Sequence, residues 1–185
     1  SEGFDVFHQL TQLEALARPG AGGVHAALLT HGVALNPIVL MGSEELKKRV
    51  VPDVLAGKKI ISLGVTEPSG GSDVANLKTR AEKRGDKYIV NGSKTFISNG
   101  MRADYYTVAV RTGGPGMGGI SLLLMEPTMK GFARTKLEKM GWHSSDTATL
   151  YFEDVEVPAE NLIGPEAGGF IKMPPSSAPP CRGSA

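Results

Sequence analysis

The 185-residue sequence contains one cysteine, Cys181, which lies near its C-terminus. A single thiol excludes a disulfide within the chain and a zinc site built from cysteines. The four histidines are not spaced like metal ligands either, so we expect no metal site. Such a scarcity of cysteine suits a reducing compartment.

The sequence also lacks an excess of charge, because its formal net charge is +1. A chain without a long-range field is not built to recruit nucleic acid or an anionic membrane. No apolar run approaches the ~20 residues of a membrane-spanning helix, so the sequence predicts no transmembrane segment. The N-terminus has no secretory signal features and no initiator methionine, which is compatible with a chain that begins partway into a longer protein.

Familiar ligand-binding motifs are missing as well. Gly64, Gly70 and Gly71 do not form a G-x-G-x-x-G pattern, and no Gly-Lys-Ser/Thr follows them, which excludes a P-loop. No G-x-S-x-G nucleophile elbow occurs. What remains is a globular composition, with 41% hydrophobic and 21% charged residues.

The first third of the chain has helical periodicity. Apolar residues recur every three positions in "FDVFHQLTQLEALA", and "VHAALLTHGVALNPIVLMG" is apolar nearly all round, which predicts a buried helix that Pro37 kinks or ends. Ser43 is a good N-cap for "EELKKRVVPDVLAGKK", and Gly57 is a plausible stop. We therefore assign residues 1–59 to an α-helical domain.

From Ile60 the periodicity changes to that of strands. Seven short segments rich in β-branched and aromatic residues are separated by turn residues such as Asn91-Gly92 and Asn99-Gly100. Helices followed by a block of strands indicate an α+β fold, with the helical segment packed on an antiparallel β-barrel or sandwich of about seven strands in residues 60–170. The proline- and serine-rich residues 171–185 are predicted to be a disordered tail.

Two segments carry candidate site residues. In "GVTEPSGGSD", a strand end brings the hydroxyl of Thr66 to a bent loop, where Ser72 and the loop amides form a polar rim suited to a flat heteroaromatic group or its phosphates. In "TFISNG", Phe96 could stack on a ring beside the hydroxyl of Ser98. The alternatives are an ordinary strand-to-strand loop for the first segment and a hairpin with a core phenylalanine for the second.

Other conspicuous residues have simpler interpretations. Trp142, the only tryptophan, is expected in the core, with a pocket wall as the alternative. Glu153 and Asp154 resemble a catalytic pair, but neighbours on a strand face opposite sides, so we expect a turn there.

The two segments, together with "KMGWHSSDTATLYFEDVEVPAENLIG", resemble the central part of the acyl-CoA dehydrogenase family. The family pattern Thr-Glu-Pro-x-x-Gly-Ser-Asp is present from Thr66 to Asp73, and Asn-Gly-x-Lys-x-aromatic/apolar-Ile-Ser/Thr-Asn is present from Asn91 to Asn99. The resemblance runs from about Phe4 to Met173, with the end of an N-terminal helical domain preceding the central β-domain.

The resemblance implies a non-covalent FAD and a set of contact residues. Thr66 would hydrogen-bond the flavin, Ser98 would place its hydroxyl near the flavin N5 edge, and Ser72 would also meet the pantetheine of the acyl-CoA substrate. Phe96 stands where many members have tryptophan, and Leu63 replaces an aromatic residue of some members. The implied cofactor-binding residues are Leu63, Gly64, Val65, Thr66, Gly71, Ser72, Phe96, Ile97 and Ser98.

The implied reaction is dehydrogenation of a fatty acyl-CoA between Cα and Cβ, with electrons passed to an electron-transfer acceptor. The family continues into a C-terminal helical bundle that supplies the catalytic glutamate and the oligomer interface, whereas the resemblance here stops near Met173. We therefore assign no catalytic residue, although Glu67 and Glu153 are candidates for the catalytic carboxylate by residue type. The expectation is a truncated or misassembled family member, or a short variant, that binds FAD poorly and turns over substrate negligibly. An apolar helical face would be left partly exposed. At full length the protein is expected to form a homo-oligomer.

Two alternatives stay open. A flavin monooxygenase or a nitroalkane oxidase would share the fold, and a non-catalytic interaction protein would use "PPSSAPP" as a proline-rich ligand. The resemblance leaves the compartment unknown, with the mitochondrial matrix or the cytoplasm favoured.

Overall fold

A computed structural model describes residues 6–168, which form three helices followed by eight strands. The order of helices and then strands confirms the α+β prediction. The predicted tail, residues 171–185, lies outside the described residues. The helices are α1 (Val6–Ala17), α2 (Gly22–Met41) and α3 (Glu44–Leu55). The strands are β1 (Ile61–Gly64), β2 (Arg80–Arg84), β3 (Lys87–Ser98), β4 (Tyr105–Arg111), β5 (Ile120–Met125), β6 (Phe132–Lys136), β7 (Thr147–Pro158) and β8 (Leu162–Ile163).

Helix α3 begins and ends where its local chemistry dictates. The Ser43 hydroxyl accepts a hydrogen bond from the Leu46 amide at 3.1 Å, which satisfies one of the unpaired donors of the first turn. Gly57 adopts a positive φ of 68° just after the helix, and the Lys58 amide donates to the Asp53 carbonyl at 2.9 Å. These contacts confirm the predicted N-cap and the predicted stop.

Helix α2 does not end at Pro37, which was one of the two outcomes predicted for that residue. It continues through Pro37 and ends only at Met41. Its 20 residues are also long and apolar enough to cross a membrane by length and composition, a test that the core helix of a soluble protein passes as well. One side packs on the sheet through Ala34, Leu35 and Ile38, whereas much of the rest is exposed, as expected for an incomplete helical layer. The exposed apolar residues of α1 and α2 are Phe7, Leu10, Val24, Leu28, Leu29, Val33, Val39 and Leu40.

The strands form one mixed sheet rather than a closed antiparallel barrel. The order along the sheet is β6-β7-β3-β2-β4-β5-β8, and β1 joins β4 in parallel. The two end strands, β6 and β8, do not pair with each other, so the sheet stays open. The expected count of about seven strands missed β8, because its two residues are too few to show periodicity.

The sheet has a core on each face. The inner core is formed by residues of β2, β3, β4, β5 and β7, and Tyr88, Tyr106 and Leu150 in it are fully buried. The outer core lies where α2 and α3 cover β1, β4 and β5, and it includes Ile38, Val50 and Ile61. Helix α2 is thereby held against β1, the strand that leads into the first candidate segment.

Two predicted turns lie instead at a β-bulge, where the pairing of β3 with β7 shifts its register. Gly92 has a φ of 142°, and the register between β3 and β7 shifts between Val90 and Gly92. The Asn91 side-chain amide donates to the Asp154 carboxylate at 2.9 Å, and the Asp154 backbone amide donates back to the Asn91 side-chain oxygen at 2.9 Å. The predicted turns at Asn91-Gly92 and at Glu153-Asp154 were therefore wrong, because a bulge uses the same residue types as a turn.

Candidate functional site

The two candidate segments lie side by side in the fold. The Thr95 amide donates to the Thr66 carbonyl at 2.8 Å, and the Ser62 hydroxyl donates to the Ser98 carbonyl at 2.5 Å. The end of β1 therefore runs along the end of β3. This arrangement, here called the β1–β3 edge, brings residues 63–66 next to residues 96–98 although about 30 positions separate them in the sequence.

The loop after β1 presents polar donors that the fold does not use. Glu67 and Gly70 close a tight turn through two reciprocal backbone hydrogen bonds of 3.0 Å. Within residues 6–168, the structure gives no protein acceptor for the amide and hydroxyl of Thr66, nor for the amides of Gly71 and Ser72. These groups are the ones that the sequence analysis assigned to a polar rim. Ser72 is exposed, and Thr66 is half-buried.

Gly71 packs directly on Thr66. A Cβ atom at Gly71 would lie 3.1 Å from Thr66 Cγ2 and 3.3 Å from Thr66 Oγ1. These distances are tighter than ordinary van der Waals contact, so a side chain there would press on the hydroxyl-bearing face of Thr66. The glycine therefore keeps the approach to Thr66 open.

The second segment exposes an aromatic ring. Phe96 has a positive φ of 59° and is 70% exposed, whereas its neighbour Ile97 is buried in the inner core. The alternative of a hairpin with a core phenylalanine was therefore wrong. Ser98 is half-buried, and no protein partner of its hydroxyl occurs among the described residues. An exposed ring and a free hydroxyl thus stand at the β1–β3 edge.

A buried ion pair lies beneath the loop, and the sequence analysis did not anticipate it. Lys94 Nζ is 2.8 Å from Glu67 Oε1, and the side chains are only 0% and 4% exposed. The Glu67 carboxylate also accepts hydrogen bonds from the Lys78 amide at 2.6 Å and the Thr79 amide at 2.9 Å. Lys94 additionally donates to the Val65 carbonyl at 3.1 Å.

The hydrogen bonds around Glu67 favour its carboxylate form. Burial alone would raise its pKa, but the hydrogen bonds from Lys94 and from the Lys78 and Thr79 amides lower the pKa of Glu67 to about 2. Burial lowers the pKa of Lys94, and the carboxylate of Glu67 opposes that effect. Every oxygen of this carboxylate is occupied, so Glu67 is not free to take a proton from a substrate.

Helix α2 is fastened to the end of β3 by Asn99. The Asn99 side-chain amide donates to the Ala27 carbonyl at 2.8 Å, and its backbone amide donates to the Asp146 carbonyl at 2.9 Å. Asn99 also has a positive φ of 59°, which asparagine tolerates better than most residues. The residue after Ser98 thus connects the β1–β3 edge to the helical layer.

We expect Asn99→Ala to lower the free energy of unfolding by about 1–2 kcal/mol, because it removes the hydrogen bond to Ala27 and puts alanine at a positive φ. Denaturant unfolding measures this loss. Asn36→Ala, at an exposed position of α2, is the matched control. Equal stability of the two variants would contradict the proposed fastening.

Trp142 forms a pocket wall and not a core anchor. It is 63% exposed, and a Cβ atom on Gly22 would lie 3.0 Å from its Nε1. With residues of α1 and α2 it lines an apolar cavity of about 580 Å³. The core prediction was wrong, and Trp142 has a positive φ of 55°, a backbone conformation that no periodicity reveals.

Within residues 6–168, no group of three or more His, Cys, Asp and Glu side chains is placed to hold a metal ion. Glu153, the other acidic residue that invited a catalytic role, is exposed on β7, where its amide donates to the Gly131 carbonyl at 3.0 Å. The chemistry available at the β1–β3 edge is therefore hydrogen-bond donation beside an apolar ring.

Comparisons with known proteins agree on one relationship. Residues 62–155 match the family model for the acyl-CoA dehydrogenase middle domain, and residues 1–58 match the model for the N-terminal domain. Acyl-CoA dehydrogenase AFT10-1 of Alternaria alternata is 44% identical over 171 residues, which are 92% of this chain and 40% of that protein.

Solved structures extend the likeness to the fold. A probable acyl-CoA dehydrogenase from Mycobacterium abscessus has 60% identity and a TM-score of 0.79, over 80% of this chain and 40% of that one. A structure described as an FAD-dependent dehydrogenase has 32% identity and a TM-score of 0.84, over 90% of this chain and 46% of that one. The chain thus spans about two fifths of the length of the curated relatives it matches.

Proposed function

The chain belongs to the acyl-CoA dehydrogenase family, and we propose that it forms the flavin-facing part of an enzyme that dehydrogenates fatty acyl-CoA thioesters between Cα and Cβ. The observation that carries the proposal is the β1–β3 edge. It places unused donors of Thr66 and Gly71 next to the end of β3, which carries the exposed ring of Phe96. As part of the proposal, residues 1–59 belong to the helical domain and residues 60–170 to the β-domain.

The residues present at the edge fit a flavin. An isoalloxazine ring is flat and apolar on its faces and carries hydrogen-bond acceptors along its rim. The edge offers an aromatic ring and free amides and hydroxyls, and Gly71 leaves open the approach that a Cβ atom would narrow. Thr66 and Ser98 would hydrogen-bond the ring, and Ser72 would contact both the cofactor and the pantetheine of the substrate. Leu63, Gly64, Val65, Phe96 and Ile97 would complete the contacts.

The protein's contribution to the reaction is orientation. The bound FAD would supply the hydride acceptor for the β-carbon of the substrate. Thr66 and Ser98 would fix the ring by hydrogen bonds from groups that the fold already holds in place, so little ordering remains to be done upon binding. Phe96 would cover apolar surface and keep water from it.

The carboxylate that removes the α-proton is not among the described residues of the edge. Glu67 is excluded because Lys94 and two amides occupy its oxygens, and Glu153 lies at the exposed bulge of β7. We propose that the base comes from a part of the protein outside residues 6–168. The 185-residue chain alone should then bind FAD weakly and give negligible turnover with acyl-CoA and an electron acceptor.

Two further readings are less well supported. The relatives described above are named as dehydrogenases, which favours dehydrogenation over a monooxygenase or nitroalkane-oxidase reaction. A non-catalytic interaction protein would depend on the proline-rich tail, which lies outside the described residues. Electron transfer to a separate acceptor and homo-oligomer formation at full length remain part of the dehydrogenase proposal.

The proposal is tested by titrating the chain with FAD and following the quenching of flavin fluorescence. Thr66→Val with Ser98→Ala should weaken FAD binding about tenfold or more, because two hydrogen bonds of about 1 kcal/mol each are lost. Thr135→Val, on the exposed part of β6, should bind like the parent. Equal affinity of the double variant and the parent, with both folded, would refute the assignment of the site.

A further inference from the structure

We propose that the buried ion pair of Lys94 and Glu67 is a positioning device that fixes Thr66 for the flavin. The inference rests on the proposed function, since it assigns a task to a pair beneath the same loop. Neither residue is exposed enough to meet a ligand itself, because the side chains are 0% and 4% exposed. Both therefore act through their neighbours, and neither is a catalytic residue.

The contacts of Lys94 hold the chain on both sides of Thr66. Its ammonium group donates to the carbonyl of Val65 at 3.1 Å and to the carboxylate of Glu67 at 2.8 Å. The next residue of β3, Thr95, donates its amide to the Thr66 carbonyl at 2.8 Å. Three consecutive residues of the loop are thus bound to two consecutive residues of β3.

Glu67 extends the anchorage to a third segment. Its carboxylate receives the amides of Lys78 and Thr79, which precede β2. The pair therefore joins the end of β1, the middle of β3 and the approach to β2. Among the described residues, the amide and the hydroxyl of Thr66 are its only polar groups without a hydrogen-bond partner. They are also the groups proposed to hydrogen-bond the flavin.

If its role were purely structural, the buried ion pair would be a poor way to stabilise the fold, because its charges lose their hydration. Moving two charges out of water costs more than their attraction returns unless the geometry is good, and well-packed apolar residues often stabilise such a position better. A charged pair gives directional contacts that apolar side chains lack. Its use directly under Thr66 is explained if the orientation of that residue, more than stability, is what the pair provides.

The first test needs no flavin, so it remains informative if the proposed function fails. In the flavin-free chain, Lys94→Met should accelerate hydrogen exchange of the loop's hydrogen-bonded amides, those of Glu67 and Gly70, at least tenfold, while exchange in β4 and β5 stays like that of the parent. Lys87→Met removes an exposed lysine of the same strand and should change neither region. Uniform acceleration over the whole sheet, or none at these two loop amides, would overturn the inference.

The second test asks whether Lys94 acts through Thr66. FAD affinities of the parent, Lys94→Met, Thr66→Val and the double variant form a double-mutant cycle. Each single change should weaken binding about fivefold or more, and the double variant should be little weaker than the worse single variant. Additive losses would mean that the pair supports the fold without positioning Thr66, and would overturn the inference.

If Lys94→Met does not fold, Glu67→Gln replaces it in both tests, because glutamine keeps an oxygen for Lys94 but loses the charge and one acceptor. Failure of the parent chain to bind FAD would contradict the proposed function but not the role of the ion pair. The exchange experiment would still test whether the pair holds the loop in place. Normal exchange and normal affinity in Glu67→Gln would overturn the inference.

Discussion

Lowering the pH from about 5 to about 2 is expected to remove about 3 kcal/mol of the free energy of unfolding through Glu67 alone. In the folded chain, burial would raise the pKa of this carboxyl, but hydrogen bonds from Lys94, Lys78 and Thr79 hold it at about 2, against 4.5 for an ordinary glutamate. A depressed folded pKa stabilises the fold above the unfolded value. That contribution is therefore present above pH 4.5 and is lost as the pH falls towards 2.

The measurement is a series of denaturant unfolding curves across this pH range, on the parent chain and on Glu67→Gln. The variant should be less stable at neutral pH, and the part of the acid-dependent loss due to Glu67 should disappear from its profile. Glu156→Gln, which removes an exposed carboxylate paired with Lys87, should keep the parent's profile. A pH profile of Glu67→Gln with the parent's slope between pH 5 and pH 2 would contradict the buried pair.

Arg111→Met is expected to lower the free energy of unfolding by about 3 kcal/mol or more. The guanidinium of Arg111 donates to the carbonyls of Leu77 at 3.1 Å, Ala75 at 2.6 Å, Gly114 at 2.6 Å and Gly116 at 3.1 Å. Hydrogen bonds from a charged donor contribute more than neutral ones, and three of these four, all except the one to Gly114, are partly buried. No other side chain of the described residues joins the segment that precedes β2, residues 75–77, to the loop after β4, residues 114–116, in this way.

The control for this variant is Arg80→Met, because Arg80 is paired with Arg111 between β2 and β4 but has an exposed side chain. We expect it to stay within about 0.5 kcal/mol of the parent, as most exposed substitutions do. Urea unfolding monitored by tryptophan fluorescence compares the two. If Arg111→Met proved no less stable than Arg80→Met, the role of Arg111 in joining the loops would be refuted.

Local patterns predicted much of the fold. The change from helical to strand periodicity at Ile60 agrees with β1, which begins at Ile61, because alternation and β-branched residues act along one segment. The cap of α3 was likewise readable from Ser43 and the two glutamates after it. The parallel pairing of β1 with β4 was not, because it depends on chain segments about 40 residues apart.

The residues of the candidate site were likewise predictable from the sequence only in part. The hydroxyls and glycines of the loop were visible in the sequence, since they stand at a strand end. The exposure of Phe96 and Trp142 was not visible, and both residues have a positive φ, which apolar residues seldom adopt and which no periodicity reveals. The Lys94–Glu67 pair joins positions 27 apart, and the only local signal was a lysine inside an otherwise strand-forming run.

Amide chemical-shift mapping of the chain during FAD titration tests whether the β1–β3 edge faces a flavin, because it detects even weak binding. We expect the largest shifts on Thr66, Gly71 and Ser72 and on residues 96–98. Shifts concentrated elsewhere, for example around Lys83 and Gly113 in the groove between β2 and the loop after β4, would contradict this expectation.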